Sequence, residues 1–191
     1  MERTENHVIV YYENWNKYRE KFYVNDKLHR IGGPAIISYY ENGDIEYESY
    51  YQNGELERVD GPASLYYWNN GNKKYEYYFK YGFKHRVDGP AYIQYNEDGT
   101  KNHESYFMDD ILHREDGPAR VQYYSNGNKK YEEYYNGGCL HREDGPSKIC
   151  YYSNGNIRSE EYYKYGVWHR DNNGPVIVYY YKSGNIKSVV S

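Results

Sequence analysis

A row of His-Arg dipeptides recurs along the chain with a period of 28 residues. The dipeptides begin at His29, His85, His113, His141 and His169, and Glu57-Arg58 fills the one missing slot. Imidazoles in a regular row could ligate metal ions or act as general acids and bases. If each repeat forms a β-hairpin, however, equivalent residues lie two strands, or roughly 9.6 Å, apart, whereas the ligands of one zinc ion lie within ~2.1 Å of it. The row therefore predicts a structural role, in which each His-Arg pair packs or hydrogen-bonds beside the next hairpin.

Acidic residues form a second row with the same period. Paired carboxylates carry out glycoside hydrolysis, but an active site is needed once, and this row supplies one Glu to every repeat. Charged rows on sheets are typical of cross-strand partners. We therefore expect each Glu of the row to pair with an Arg of the His-Arg row, and the Asp residues that follow to bond the backbone of their own turns. The residues concerned are Glu20, Glu48, Glu76, Glu104, Glu132 and Glu160; Arg30, Arg58, Arg86, Arg114, Arg142 and Arg170; and Asp60, Asp88, Asp116 and Asp144.

Tyrosine dominates the composition, and exposed Tyr rings could form a platform that stacks on sugars or bases. The chain contains 31 Tyr, as many as Ile, Leu, Val and Phe together. Because aliphatic residues are so few, Tyr has to supply apolar area while its hydroxyl stays hydrogen-bonded or in water. We therefore expect the Tyr slot that recurs in every repeat to form a stacked structural column. Its members are Tyr11, Tyr39, Tyr67, Tyr95, Tyr123, Tyr151 and Tyr180.

Positions at which the repeats differ are better candidates for binding specificity. Several of them hold large apolar side chains, and a surface cluster of such residues would mark a protein-binding site. The candidate partner-binding residues are Trp68, Phe83, Phe107, Met108, Ile111 and Trp168.

The sequence contains no recognisable catalytic motif. No Ser, Cys or Lys stands in a nucleophile motif, and no Gly-rich phosphate loop follows a strand pattern. The sequence thus predicts a protein that is not an enzyme, with no catalytic residue, metal ligand or cofactor. Its two Cys fit neither a disulfide framework nor a zinc site. Cys139 and Cys150 are symmetric about Asp144-Gly145 and would face each other only across a two-residue turn, so we expect free thiols.

The elements that position these residues are predicted to be β-hairpins. Asn-Gly or Asp-Gly recurs once per repeat, as at Asn42-Gly43, and favours a type I′ turn because both residues tolerate positive φ. A second turn signal recurs around Gly54, Gly82, Gly138 and Gly166. Residues 37–40 and 73–79 exemplify the two strands, and alternation in 73–79 places Lys73, Tyr75, Tyr77 and Phe79 on one face and Lys74, Glu76 and Tyr78 on the other.

The period divides the whole chain, residues 1–191, into one array of repeats. We predict repeats at about 8–35, 36–63, 64–91, 92–119, 120–147 and 148–176 and a half repeat at 177–191. The proline of each repeat keeps the same period until Pro175, which comes one residue late because the loop at 171–174 holds an extra residue. The predicted fold is all-β, an elongated single-layer antiparallel meander of tandem hairpins.

In pattern the chain resembles the MORN (membrane occupation and recognition nexus) repeat family in a variant form, YYxNGxxxxExYYxxGxxHRxDGPA. The resemblance spans roughly residues 8–187, although the period and the His-Arg-x-Asp-Gly-Pro element differ from the standard 23-residue MORN pattern. It implies a rod that dimerises or docks partners along a groove in the sheet, and lipid binding has been proposed for some members. Similar variant arrays are associated with large DNA viruses of amoebae and with some bacteria, and the leading expectation from this resemblance is a viral origin, with action in the host cytoplasm.

The charge balance narrows the choice of partner. With 24 Lys and Arg against 28 Asp and Glu, the net charge is -4, which disfavours nucleic acid and anionic membranes as main partners. No segment is long enough for a signal peptide or a membrane span, so we expect a soluble intracellular protein. The leading hypothesis is a scaffold for protein–protein interaction, with homodimerisation through the open sheet edges. The alternative is a peripheral, lipid-associated module.

Overall fold

The structure is a computed structural model that describes residues 4–191, except for the side chain of Asn172. Over this range the chain forms β-strands and a single 3₁₀ turn, Asp171–Asn173. No helix within residues 4–191 is long and apolar enough to cross a membrane. The chain divides into two compact units, Met1–Gly99 and Thr100–Ser191, and their boundary lies inside the repeat predicted for residues 92–119.

The first unit contains long strands that form a sheet and short strands that form ribbons. In chain order they are β1 (Glu5–Tyr11), β2 (Lys17–Val24), β3 (Lys27–Leu28), β4 (Ile36–Tyr39), β5 (Ile45–Ser49), β6 (Tyr51–Gln52), β7 (Glu55–Leu56), β8 (Ser64–Tyr67), β9 (Lys73–Tyr77), β10 (Phe79–Lys80), β11 (Phe83–Lys84) and β12 (Tyr92–Tyr95).

The second unit follows the same scheme. Its strands are β13 (Lys101–Ser105), β14 (Phe107–Met108), β15 (Ile111–Leu112), β16 (Arg120–Tyr123), β17 (Lys129–Glu133), β18 (Tyr135–Asn136), β19 (Cys139–Leu140), β20 (Lys148–Tyr151), β21 (Ile157–Glu161), β22 (Tyr163–Lys164), β23 (Val167–Trp168), β24 (Ile177–Tyr180) and β25 (Ile186–Val190).

Each unit is an open meander in which neighbouring strands are antiparallel. The order is β1-β2-β4-β5-β8-β9-β12 in the first unit and β13-β16-β17-β20-β21-β24-β25 in the second. The ribbons β6–β7 and β10–β11 belong to the first unit, and β14–β15, β18–β19 and β22–β23 to the second, while β3 pairs with β2. The predicted all-β, single-layer antiparallel meander of tandem hairpins is thus confirmed within each unit.

The Asn-Gly turns do not have the predicted type I′ geometry. At the first of them only Gly43 has a positive φ, of 93°, and its N–H donates to the Tyr40 carbonyl at 2.9 Å. The strand register shifts at Tyr39, as in a type I turn that ends in a left-handed Gly bulge. Asn42 stabilises this turn because its side-chain oxygen accepts the Asp44 N–H at 3.1 Å. The prediction of type I′ turns here was therefore wrong.

The type I′ conformation occurs instead at the ribbon tips. In the ribbon β6–β7, Asn53 and Gly54 both have positive φ, 52° and 89°, and Gln52 pairs directly with Glu55. Two residues with positive φ between paired strands define the tight hairpin that follows sheet twist best. The same arrangement recurs at Tyr81-Gly82, Asp109-Asp110, Gly137-Gly138 and Tyr165-Gly166.

The second strand of each hairpin is shorter than predicted. The segment 73–79 is divided at Tyr78, whose N–H donates to the Ala91 carbonyl at 2.8 Å and whose carbonyl accepts the His85 N–H at 3.1 Å. Because Tyr78 bonds to the start of the next strand and to the far end of the ribbon, the chain leaves the sheet there and Phe79 begins the ribbon β10–β11.

A bulge also changes the predicted alternation of side chains. Glu76 lies opposite Leu65, but Lys73 lies opposite Tyr67, so the strand β9 has one residue more than β8 over this stretch. A bulge of this kind moves the preceding residue to the other face of the sheet. Lys73 therefore shares a face with Glu76, not with Tyr75 as expected.

The core is thin and is built from small and aliphatic residues of fixed slots. The Ala that follows each Gly-Pro is fully buried at Ala35, Ala63, Ala91 and Ala119, and aliphatic residues are buried at Leu65, Ile93, Val121, Ile149 and Val178. Glutamates of the acidic row lie among them: Glu76 is opposite Leu65 on one neighbouring strand and Ile93 on the other. A buried carboxylate needs hydrogen-bonding partners. Because these glutamates lie in the core, they find those partners among neighbouring side chains of the sheet.

The loop with one extra residue absorbs the insertion, as predicted. Its Asp171–Asn173 segment forms the 3₁₀ turn. Glu160 still lies opposite Val178, just as Glu132 lies opposite Ile149 one repeat earlier. The side-chain pairing of the sheet is therefore unchanged by the insertion.

Candidate functional site

The glutamate row accepts hydrogen bonds from the tyrosine row, not from the arginine row. The Tyr67 hydroxyl donates to Glu48 at 2.8 Å, and Tyr180 donates to Glu160 at 2.7 Å. The same bond joins Tyr39 to Glu20, Tyr95 to Glu76, Tyr123 to Glu104 and Tyr151 to Glu132. The Tyr residues thus have the predicted structural role, but by bonding to carboxylates of the preceding repeat and not by stacking on each other.

Burial and these carboxylates change the acidity of the tyrosines. Burial first, and the hydrogen bond to Glu20 second, raise the pKa of Tyr39 to about 12. Burial and Glu160 do the same for Tyr180, whose pKa is also about 12. Burial opposes the charge on Glu20, but hydrogen bonds from Tyr39, Lys17 and His7 together hold the pKa of Glu20 below its usual value.

Lysines bond four of the six glutamates of the row, and Ile45 and Ile157 take the lysine slot before Glu48 and Glu160. The Lys17 ammonium lies 2.9 Å from Glu20, and the Lys101 ammonium lies 2.6 Å from Glu104. Lys73 pairs with Glu76 and Lys129 with Glu132 in the same way. The expectation of a Glu–Arg ladder was wrong because the bulge brings Lys onto the Glu face.

The arginine row has different partners, and one of them is the same in every repeat: each guanidinium lies over the aromatic ring eight residues before it. The Arg86 guanidinium lies 3.9 Å from the centre of the Tyr78 ring, and it donates to the Pro90 carbonyl and, at 2.9 Å, to Asp88. A Cβ on Gly89 would be 2.9 Å from the Arg86 guanidinium carbon. The Gly of the His-Arg-x-Asp-Gly-Pro loop is therefore needed so that Arg can lie flat beneath the loop.

Three of the loop aspartates accept a hydrogen bond from this arginine, and at Asp88 and Asp144 a backbone hydrogen bond of the turn adds to it, as expected. Asp144 accepts from Arg142 at 2.9 Å, and Asp116 accepts from Arg114 at 3.2 Å. The hydrogen bond and charge of Arg142 hold the pKa of Asp144 below its usual value. Asp60 occupies the equivalent slot.

The histidines pack beside the next hairpin, as predicted. His29 accepts the Asn53 N–H on Nδ1 at 3.1 Å, and His113 accepts the Gly137 N–H at 3.4 Å. His141 stacks on the Tyr165 ring at 4.1 Å. Within the described part of the chain, no three His, Cys, Asp or Glu side chains are arranged to hold a metal ion.

The two cysteines do not face each other. Cys139 is exposed and pairs with Asn136 on a ribbon, whereas Cys150 is buried in the sheet opposite Tyr131 and Ser159. Both thiols are free, as expected. A disulfide across a two-residue turn is impossible because the whole loop at 141–147 separates the two strands.

Five of the six candidate partner-binding residues lie on the ribbons. Met108 and Ile111 face each other on β14–β15, beside Phe107. Phe83 is on β11 and Trp168 is on β23, and both are about half exposed. Four of the five are thus large exposed apolar side chains, and Phe107 is partly covered.

Trp68 lies apart from the ribbons. It sits in an Asn-Gly turn, where its ring N–H donates to the Tyr95 carbonyl at 3.4 Å and the Lys74 ammonium lies 4.2 Å from the ring centre. The structure therefore gives Trp68 a local packing role and does not bring it together with the other candidates.

One variable surface position was not among the predicted candidates. It is the residue x of His-Arg-x-Asp-Gly-Pro. In the first unit it is Ile31, Val59 and Val87, which are 78%, 83% and 85% exposed. In the second unit the same slot holds Glu115, Glu143 and Asp171. The repeat spacing could have shown this, because the residue is apolar in the three loops of the first unit and acidic in the three loops of the second.

These variable residues line clefts between successive loops. The second-unit cleft has a volume of about 750 Å³ and is lined by residues 113–117, 134–136 and 141–144. The first-unit cleft, of about 540 Å³, is lined by residues 57–61, 78–80 and 85–88. Every lining residue of one cleft lies two repeats from its counterpart in the other.

Comparison with known proteins identifies no relative. No protein-family model matches the chain, and a search of the curated proteins returns no match.

Proposed function

We propose that this chain is a non-enzymatic repeat scaffold that mediates protein–protein interaction through side chains that differ from repeat to repeat. One observation carries the proposal: the polar groups that recur are used to hold the repeats together, whereas the slots of the exposed ribbon residues Phe83, Met108, Ile111 and Trp168 hold different residues in other repeats. Glu104, for example, is buried and bonded to Tyr123 and Lys101, while Met108 nearby in sequence is exposed.

The ribbons hold the exposed apolar side chains in fixed positions. Their tips are fixed by two-residue turns, and the turn glycines bond to the preceding ribbon: Gly138 N–H donates to the Leu112 carbonyl at 3.0 Å, and Gly166 N–H donates to Leu140 at 2.9 Å. Side chains held on a rigid frame lose less freedom on binding, which favours affinity. The exposed Ile111 and Trp168 are therefore presented in defined positions.

Two parts of the proposal come from the resemblance to variant MORN arrays. They are a viral origin with action in the infected host cell, and self-association as a homodimer. A peripheral membrane role is the alternative, and it comes from the same resemblance. The exposed carboxylates of Glu115, Asp116, Glu143 and Asp144 oppose it, because they would repel an anionic lipid surface.

Capture from host-cell extract with a surface variant tests the scaffold proposal. The variant F83S/M108S/I111S/W168S removes exposed apolar groups and leaves the Glu–Tyr bonds intact, and I45S/I186S is a control that removes exposed apolar groups from the main sheets. We expect the wild-type chain and the control to retain the same partner proteins and the ribbon variant to lose them. Equal capture by all three, or none by the wild type, would contradict the proposal.

Light scattering on the eluting protein tests the homodimer. A mass near twice 23.0 kDa is expected, and a monomer at high concentration would contradict it.

Co-sedimentation with anionic vesicles at low salt is expected to be negative, and binding would favour the membrane alternative. Hydrolytic turnover abolished by Glu104→Gln would overturn the non-enzymatic assignment.

A further inference from the structure

We infer that the second-unit cleft binds a basic side chain, Lys or Arg, of a partner protein, and that the variable residue of the His-Arg-x-Asp-Gly-Pro loop sets this preference. The inference rests on the proposed function and specifies its surface and the chemistry of its partner. Two clefts, one in each unit, have the same ring-stacked arginines and loop glycines, which we call the frame, and they differ in charge.

The frame is the same in both clefts. Arg114 and Arg142 in the second unit correspond to Arg58 and Arg86 in the first, and each lies over an aromatic ring at 3.9–4.1 Å. Each of these ring-stacked arginines precedes a Gly whose missing Cβ leaves room for the guanidinium. The walls therefore have one construction, and the chemistry of each cleft is set by the residues that differ.

The residues that differ change the charge of the cleft. The second-unit cleft is lined by four carboxylates, those of Glu115, Asp116, Glu143 and Asp144, against the two guanidiniums of the frame. The first-unit cleft has three carboxylates against three basic groups, because Val59 and Val87 replace the glutamates and Glu57 and Lys80 are added. The formal charge is therefore -2 in the second-unit cleft and zero in the first.

The frame arginines do not cancel this charge for a ligand. Arg142 is three-quarters buried, and it is held by Asp144 and by the Tyr134 ring. Glu143 is 80% exposed at the cleft wall, and the His141 ring lies 3.9 Å from its carboxylate. A carboxylate in this position attracts an incoming ammonium or guanidinium group, and a cleft focuses that attraction.

His141 also lines this cleft, but it is not a group that a ligand would contact. Its side chain is more than nine-tenths buried, and its Nδ1 is buried without a hydrogen-bond partner in the described structure. The Nδ1 atoms of His29 and His113 accept N–H groups of the next ribbon tip. The exposed carboxylates of Glu115 and Glu143 are therefore the groups that an incoming Lys or Arg would contact.

Apolar contact is available next to the cleft. Ile111 lies two residues before the first lining segment, and its Cγ2 is 3.5 Å from the position of a Cβ on Gly138. Gly138 belongs to the ribbon tip between Asn136, which lines the cleft, and Cys139. A partner segment with an apolar residue beside a basic one would therefore contact both surfaces.

Binding of short peptides to the full chain, followed by amide NMR, tests the inference. The probe is the acetylated and amidated pentapeptide SKLKS, and its acidic twin SELES is the control. The variants exchange the two clefts within one frame: E115V/E143V copies the first unit, and V59E/V87E copies the second. Each residue introduced already occupies the same slot elsewhere in the chain, so both variants are expected to fold.

We expect SKLKS to shift the amides of residues 113–117 and 141–144, and SELES to leave them unchanged. E115V/E143V should weaken binding about tenfold, the effect of losing two partly exposed ion pairs, and V59E/V87E should add a second site at residues 57–61 and 85–88. Higher salt should weaken binding in both cases.

Three results would overturn the inference: equal binding of both peptides, unchanged affinity of E115V/E143V, or no new site in V59E/V87E. Any of these leaves the scaffold proposal standing if F83S/M108S/I111S/W168S still loses its partners. Conversely, failure of the wild-type chain to capture any partner overturns the scaffold proposal whatever the NMR result.

Discussion

The hydroxyl of Tyr123 donates a 2.7 Å hydrogen bond to the carboxylate of Glu104, nineteen residues earlier in the chain. Glu104 is buried, and its charge is held there by this bond and by Lys101 at 2.6 Å. The bond joins one repeat to the next, so the same contact that satisfies a buried charge also sets how consecutive hairpins pair. This dual role explains why both residues recur in every full repeat.

Removing the hydroxyl of Tyr123 should destabilise the protein. Tyr123→Phe leaves a buried carboxylate without one of its partners, and we expect a loss of about 1.5–3 kcal/mol in the free energy of unfolding. Urea unfolding of the wild-type chain and the variant measures this loss. Tyr11→Phe is the matched control, because Tyr11 occupies the same slot but precedes the first Glu of the row, and its effect should stay within about 0.5 kcal/mol. Equal losses in both variants would contradict the assigned role.

Adding a methyl group at Gly89 should displace Arg86. The new Cβ would be 2.9 Å from the guanidinium carbon, so the guanidinium has to leave the Tyr78 ring, at a cost of about 0.5–2 kcal/mol. In the Arg86→Ala background the same substitution should cost much less, because nothing remains to be displaced. Urea unfolding of the four proteins in this cycle measures the coupling, and additive losses would disprove the explanation.

Stability should fall at alkaline pH. The pKa values of Tyr39 and Tyr180 are raised to about 12, against about 10 in an unfolded chain. Their contribution is fully present below pH 10 and is lost as the pH rises from 10 to 12, because only the unfolded chain releases the protons in that range. Ultraviolet titration of tyrosinate should show a late-ionising class of Tyr. Tyr39→Phe should reduce that class, and an unchanged titration curve would contradict the prediction.

His103 should produce an acid-sensitive component. Burial first, and the nearby Arg120 second, lower the pKa of His103 to about 4. The unfolded chain binds the proton near pH 6.5, so the contribution to stability is complete above pH 6.5 and declines as the pH falls towards 4. NMR titration of the imidazole checks the value, and His103→Gln should remove that part of the pH dependence. A midpoint near 6.5 in the folded protein would refute the assignment.

Much of the architecture was predictable because the repeat is explicit in the sequence. The 28-residue period, the recurring Gly turns and the absence of helix signals led to an antiparallel meander of hairpins, which each compact unit contains. The extra residue before Pro175 was correctly assigned to a loop, because it lies between His169-Arg170, which keeps the 28-residue period, and Pro175, which comes one residue late.

The contacts within the frame were less predictable. The repeat spacing shows that Glu76 and Arg86 both recur, but it does not show which side chains contact them. A one-residue bulge in β9 brings Lys73 to Glu76, and the break at Tyr78 places the Tyr78 ring under Arg86. Both depend on backbone irregularities of a single residue, which side-chain periodicity does not report.

The amino-acid sequence by itself determined that this protein is a β-hairpin array with a structural Tyr row, because strand alternation and turn chemistry are local properties repeated many times. The tertiary structure alone decided that Glu bonds to Tyr, that Arg lies beneath its own loop, and that Val59 and Glu115 stand at the mouths of equivalent clefts. The Glu–Tyr bonds and the clefts join residues that are distant in sequence, whereas each Arg contacts its own loop, and all of these contacts are set by how strand register and loop path bring the chain together in space.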